Sequence, residues 1–169
     1  MTGDELAAWL GSIFPGMELL LVDATPVATS ILRGRPAGAT LGFSTLDTGL
    51  RLEADPATRV GCELTARGGA DTQELAETLA AAARELAALG VPAQPGVLLE
   101  FGGRRGWLRE PELFDRGTPL YREPGQVTLL LELVVLTEEE YQIASEQGVD
   151  TLATRLRRRG VDVADWCRQ

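Results

Sequence analysis

The side chains able to do chemistry are few and scattered. Gly102-Gly103-Arg104-Arg105-Gly106 sets two guanidiniums in a glycine-rich turn, a composition that can hold a phosphate through backbone amides and paired cations. No capping residue and helix follow it in the phosphate-loop arrangement, so an exposed arginine turn is the favoured reading. Glu100 and Glu132 sit inside apolar stretches. A buried carboxylate can be held protonated and do acid–base work. One carboxylate without a nucleophile or a second acid is not a mechanism, however, and an edge position or an arginine partner accounts for Glu100 and Glu132 more simply. Cys62, between Gly61 and Glu63, reads as a buried, inert thiol, because a reactive one needs an electropositive setting.

Two charge clusters follow helix electrostatics. Arg155, Arg157, Arg158 and Arg159 come late in a helical pattern, and Glu138, Glu139 and Glu140 open one, each where the helix dipole favours its sign. Solvated helix ends explain both better than a nucleic-acid patch or a metal site. Trp9, Trp107 and Trp166 are candidate core anchors or interface contacts. Trp9 fits an apolar helix stripe, whereas Trp107 lies in an apparent long loop and is the one to expect at a contact. Arg104, Arg105 and Trp107 are therefore the candidate partner-binding residues.

What is missing narrows the chemistry further. The sequence contains no histidine, lysine or asparagine. That removes the Ser-His-Asp and Cys-His centres, the P-loop lysine, lysine Schiff bases and N-glycosylation. A zinc site would rest on two cysteines and carboxylates, which is unusual. No cofactor is expected, although carboxylate chemistry stays open. The net charge of −9 repels nucleic acid and suits a basic protein partner. Cys62 and Cys167 make no disulfide framework, and the acidic N-terminus is unlike a signal peptide, so a reduced cytoplasmic protein is the simpler reading. No apolar run is long enough to span a membrane.

The elements that must position these residues are legible in outline. The 169 residues, 44% of them apolar, fit one soluble domain able to bury roughly two-thirds of its unfolded surface. Thr2 and Glu5 have capping-box spacing, followed by Leu6, Trp9, Leu10, Ile13 and Phe14 at helical intervals. Met17 to Val22 predicts a buried strand. Residues 24–66, rich in Gly, Pro and Thr, predict a meander with strands at Ala39–Thr45 and Val60–Thr65 and an edge strand at Leu50–Glu53. Asp71 to Leu89 predicts a helix, capped by Asp71, with Glu74 three residues on and Gly90 and Pro92 ending it. A strand follows at Val97–Phe101, then a loop from Gly102 to Pro119, of a length often tied to function. Val127 to Leu136 predicts a central strand covered on both faces. Thr137 and Glu140 repeat the capping-box spacing before a helix to about Gln147, and a second helix runs from Val149 to Arg159 and stops at Gly160. The fold expected is one α+β domain over residues 1–169, a mostly antiparallel mixed sheet packed by helices.

These elements come in an order that resembles the suppressor-of-fused domain family in its compact bacterial form. Gly38-Ala39-Thr40-Leu41-Gly42-Phe43-Ser44-Thr45 is similar to the family's strand ending in Thr-x-Gly-x-Ser. Arg59-Val60-Gly61-Cys62-Glu63-Leu64 resembles its Arg-x-x-Glu-Leu strand. The helix from Leu75 to Leu89 with Pro92 and Gly96 comes next. Leu133-Val134-Val135-Leu136-Thr137-Glu138-Glu139-Glu140, with Gly148, Leu152, Leu156 and Arg168, resembles the family's apolar strand, helix start and closing helix. Val135 stands where the family often has proline. The resemblance implies a binding domain, not an enzyme. The animal relative sequesters a transcription factor, and bacterial relatives are inferred to be immunity proteins that neutralise polymorphic toxins. An acidic protein masking a basic toxin is electrostatically sensible. Two other classes stay open: a carboxylate-dependent enzyme acting on a small molecule or peptide, with two of Glu63, Glu100 and Glu132 converging in one pocket, and a structural subunit or homodimer joined by an exposed strand edge.

Overall fold

The computed structural model describes residues 3–114 and 117–168. In chain order it forms α1 (Gly3–Ile13), β1 (Glu18–Val22), β2 (Thr25–Leu32), β3 (Arg35–Thr40), a single 3-10 turn (Phe43–Thr45), β4 (Arg51–Leu52), β5 (Asp55–Arg67) and α2 (Thr72–Leu89). Then come β6 (Leu98–Phe101), β7 (Arg104–Arg109), β8 (Leu120–Glu123), β9 (Gln126–Leu136), α3 (Glu138–Gln147) and α4 (Val149–Arg159). The strands join one sheet in the order β1-β2-β3-β5-β9-β7-β6, with β4 added to β5 and β8 to β9. Every pairing is antiparallel except the central one, where β5 and β9 run parallel from Arg59↔Gln126 to Thr65↔Glu132. This is the α+β, mostly antiparallel mixed sheet that the sequence pattern predicts.

Side-chain alternation divides the core in two. Along β9, Leu131 and Leu133 face one side with Cys62, Leu64, Leu99 and Leu108, and α2 covers them with Leu75, Leu79, Ala82 and Leu86. Leu130 and Val134 face the other side. There α1 and the residue after it bring Leu6, Leu10 and Phe14 onto Ala28, Ala37, Ala39 and Leu130. Beside them, Ala144, Leu152 and Leu156 of α3 and α4 cover Trp107, Val134 and Leu136. Helices thus lie on both faces, which is why β9 can be apolar on both.

Local chemistry sets the helix ends. The Asp71 carboxylate accepts the Glu74 N–H at 2.8 Å, and Gly90, at φ 63°, closes α2 in the left-handed conformation that glycine tolerates best. Thr137 and Glu140 form the reciprocal box: the Glu140 N–H donates to the Thr137 hydroxyl at 3.3 Å and the Thr137 N–H to the Glu140 carboxylate at 2.9 Å. The box expected at Thr2 lies outside the described residues, as do Asp115 and Arg116 of the expected long loop.

Three expectations are corrected. Met17 to Val22, read as buried, is the outermost strand β1, with Leu19 57% and Leu21 73% exposed. An apolar run looks the same whether a sheet covers it or ends at it. Ala39 to Thr45 is not one strand: β3 stops at Thr40 and the chain turns at Phe43–Thr45, while β2 and β3 occupy a stretch read as irregular. The loop predicted from Gly102 begins instead with β7, hairpinned to β6 through Gly102 and Gly103, whose φ values of 52° and 75° make a tight turn.

Since Leu79 is fully buried on the sheet-facing side of α2 and Leu21 is exposed, their truncations separate. Leu79→Ala is expected to lower stability by about 2–5 kcal/mol, and Leu21→Ala by no more than about 0.5 kcal/mol, as read by urea denaturation.

Candidate functional site

Glu63 points from β5 toward the α1 side of the sheet, where burial would leave an unpaired carboxylate very costly. The turn after β3 supplies its partners. Three consecutive backbone amides converge on it: Gly42 and Ser44 donate to Oε1 and Phe43 to Oε2, each at 3.0 Å. The Thr40 hydroxyl donates to Oε2 at 2.6 Å and accepts the Leu64 N–H at 2.9 Å, carrying the ladder on after β3 leaves β5. The amides form an anion nest, opened by Gly42 at φ 108° and filled by the protein's own carboxylate. Two residues earlier, a Cβ on Gly61 would come within 2.7 Å of the Ser44 carbonyl oxygen, so only glycine lets the turn sit this low. The two motifs Thr40-x-Gly42-x-Ser44 and Gly61-x-Glu63 meet here in space. Burial drives the Glu63 carboxyl above its ordinary range, against the pull of its donors.

The candidate contact residues Arg104, Arg105 and Trp107 all lie on β7, and alternation sends them apart. Arg104 faces α2, with Nη2 2.6 Å from the Glu74 carboxylate and its guanidinium 5.5 Å from the Trp166 ring centre. Trp166 reaches it by lying against Gly68 and Gly69, where no side chain would fit. Arg105 faces the other way, paired with Glu138 and stacked 5.5 Å over Tyr141. Trp107, on that same face, is only 7% exposed, and its indole N–H has no acceptor among the described residues. Arg109 covers its ring at 5.7 Å and donates to Glu132 at 2.9 Å. Each of these guanidiniums sits over an aromatic ring, an arrangement worth about 0.5–2 kcal/mol apiece.

The other candidates are similarly engaged. Glu132 also accepts the Glu112 N–H at 2.9 Å, and Glu100 is exposed on the outer strand β6, its nearest partner Arg105 at 3.9 Å. Glu63, Glu100 and Glu132 thus hold separate partners and do not share one pocket. Glu140 closes its capping box and pairs with Arg168, whose guanidinium also donates to the Val135 carbonyl at 2.6 Å and pins the tail. Arg155 donates to Gln147, and Arg157, Arg158 and Arg159 are exposed in the last turn of α4. Among the described residues no three His, Cys, Asp or Glu gather to hold a metal ion, and no helix is long and apolar enough to cross a membrane. A cleft of about 590 Å3 runs between the β1–β2 turn, α2 and the β6–β7 hairpin, with Asp23, Glu77, Arg84 and Arg104 on its walls.

Sequence reasoning missed the amide nest, the Arg104–Trp166 stack and the Arg168 anchor. Only Gly61 and the paired glycines at 68 and 69 signalled that the chain had to come close there.

The structure defines a class: an α+β domain whose buried charges stitch turns and tail to a sheet. The particular fold is that of suppressor of fused. A suppressor-of-fused homologue from Neisseria gonorrhoeae superposes with a TM-score of 0.70 at 14% identity, over 99% of this chain and 94% of that one. The structure described as the Sufu–Fu complex matches with a TM-score of 0.61 at 15% identity, over 95% of this chain and 84% of that one. No protein-family model and no curated protein sequence matches. The likeness agrees with the fold implied by the motif order.

Because four donors face the two Glu63 oxygens, Glu63→Gln, which sets an NH2 against donors, is expected to cost about 2–4 kcal/mol at pH 5. The folded-state pKa lies above the unfolded one, so this group's contribution is fully present below about pH 4.3 and is lost as pH rises through the folded value. The gap between parent and variant should therefore narrow toward pH 8 in a urea-denaturation series. Glu74 is the opposite case. The Ala70 N–H and Arg104 hold its carboxyl below the usual range, so its contribution is present above about pH 4.3 and is lost as pH falls. Glu74→Gln should accordingly flatten the acid limb of the same series. Burial pushes the Cys62 thiol up to about 12. Intact-mass counting should show maleimide on exposed Cys167 alone in the folded protein, and on both thiols after unfolding.

Proposed function

We propose that this chain is a non-catalytic protein-binding domain that acts in the cytoplasm as an immunity protein, neutralising a polymorphic toxin. The observation that supports binding most directly is the likeness to the protein in the Sufu–Fu complex, over 95% of this chain. The net charge of −9 favours a basic partner and speeds encounter with it. The same charge disfavours nucleic acid, and the exposed arginines at the end of α4 act as a solvated helix terminus.

The contact surface proposed is the β6–β7 hairpin tip. Arg104 and Arg105 both line a recess of about 270 Å3 there, with Glu85, Glu100 and Gly103. Each is about one-third exposed, and its ring and carboxylate partners hold the guanidinium in place before a partner arrives. Trp107 acts from beneath, fixing the strand that presents them. The carboxylate-enzyme reading needed two glutamates in one concavity, and the three candidates hold separate partners.

Co-expression with a toxin encoded beside this gene tests the reading. Growth should be restored, and the purified pair should form a complex. Arg104→Ala with Arg105→Ala, which removes the two presented side chains without adding negative charge toward a basic partner, should weaken that complex by about 10–100-fold, with circular dichroism checking that the fold is kept. A well-expressed chain that neither rescues growth nor binds the toxin would remove the immunity role. An unchanged affinity in the double variant would remove the hairpin tip as the contact.

A further inference from the structure

We infer that β1 is a self-pairing edge through which two copies of this chain associate, antiparallel about a two-fold axis at Leu20. β1 ends the sheet and is paired on one side only, residue for residue with β2 from Glu18↔Thr29 to Val22↔Thr25. The connecting turn is Asp23-Ala24, with φ 46° and 65°, the two-residue geometry in which the flanking Val22 and Thr25 exchange hydrogen bonds. Alternation then aims the N–H and C=O of Leu20 and Glu18 at β2, and those of Leu19 and Leu21 at open solvent. Leu19 and Leu21 are also the two exposed leucines of the strand, 57% and 73%, on one face. The unpaired backbone and the uncovered apolar side chains therefore belong to the same two residues.

Sheet edges are usually blunted by lysine, proline, a bulge or an inward charge. β1 has none of these: its register is regular throughout and its single charge is at Glu18, the first residue. The opposite edge β6 carries Glu100 in mid-strand and hairpins into the arginines of β7.

The sequence of β1 suits a second copy of itself. The two-fold register sets Leu19 against Leu21 of the second copy and Leu21 against Leu19, both with outward-facing backbone groups, so four leucines form one continuous patch. Glu18 falls opposite Val22 and Asp23 opposite Met17, so no like charges meet. A parallel in-register pairing would instead bring Glu18 beside Glu18. The contact is small: five residues a side, against the roughly 20–30 a side of a standard interface, so association is weak. The net charge of −9 on each copy opposes it, and salt should strengthen it by screening that repulsion. Self-pairing does not depend on the toxin-binding role.

Sedimentation velocity on the full chain, from about 10 µM to about 1 mM at low and high salt, tests this. The expected result is a mass rising toward two chains, more steeply at high salt. Leu21→Lys should raise the dissociation constant at least about tenfold, whereas Leu120→Lys on β8, also at an exposed leucine, should not change it. Register is read separately. In a Cys167→Ser background, Leu20→Cys should form a covalent dimer on mild oxidation, because a non-hydrogen-bonded antiparallel pair holds its Cα atoms about 4.5 Å apart. A monomer throughout the range, a dimer indifferent to Leu21→Lys, or a monomer whose β1 edge is covered by a different protein would each overturn the inference.

Discussion

One carboxylate governs how the centre of this protein is assembled. Glu63 lies fully out of water on the strand that pairs with both β3 and β9. A lone charge there would be untenable, so the chain after β3 must bend back and offer its amides. That requirement explains why β3 stops at Thr40, why Gly42 adopts a left-handed conformation, and why Gly61 carries no side chain. The exchange is mutual. Three N–H groups that a tight turn would leave without acceptors find one anion, and the anion finds a shell of donors. Two of the four stretches that resemble the suppressor-of-fused family, residues 38–45 and 59–64, are the halves of this contact.

The same logic recurs at the periphery with arginine as the ion. Arg104, Arg109 and Arg168 each join elements far apart in sequence: hairpin to helix, strand to strand, and tail to the end of β9. Aromatic rings at 107, 141 and 166 support guanidiniums of β7. Three of the chain's few aromatics thus hold charged side chains in place. Such groups act as orienting devices.

How much of this was legible depended on whether the signal was local. The α2 helix carries its cap, stripe and stop within twenty residues, and Thr137 with Glu140 carries both halves of a capping box, so both elements could be read directly. β9 announced itself by being apolar on both faces. β3 did not, because Arg-Pro-Ala-Gly-Ala-Thr favours small residues, and in β2 the alternate Thr, Val and Ile positions are interrupted by Pro26, Ala28 and Ser30. A Cβ at Gly38 would reach within 2.2 Å of the Ala28 carbonyl oxygen, so tight strand approach removed the bulky side chains that normally betray a strand. β7 was hidden because Arg-Arg-Gly-Trp-Leu-Arg lacks β-branched residues, and with the strand unseen its alternation was unseen too. Glu63 was visible as a candidate, but its partners are backbone amides, which residue types do not encode.

The parallel pairing of β5 with β9 carries a kinetic consequence. The two strands are separated by the stretch from residue 68 to 125, so their union waits on closing a very long loop. Until then β5, with its apolar side toward α2, has its central edge unsatisfied. The helix and hairpin made from the intervening chain can form earlier from local contacts, which makes them the natural shield for that edge while the molecule matures. A newly made chain is therefore most vulnerable to sticking to its neighbours in the interval before β9 is in place, after α1 and α2 could already have formed.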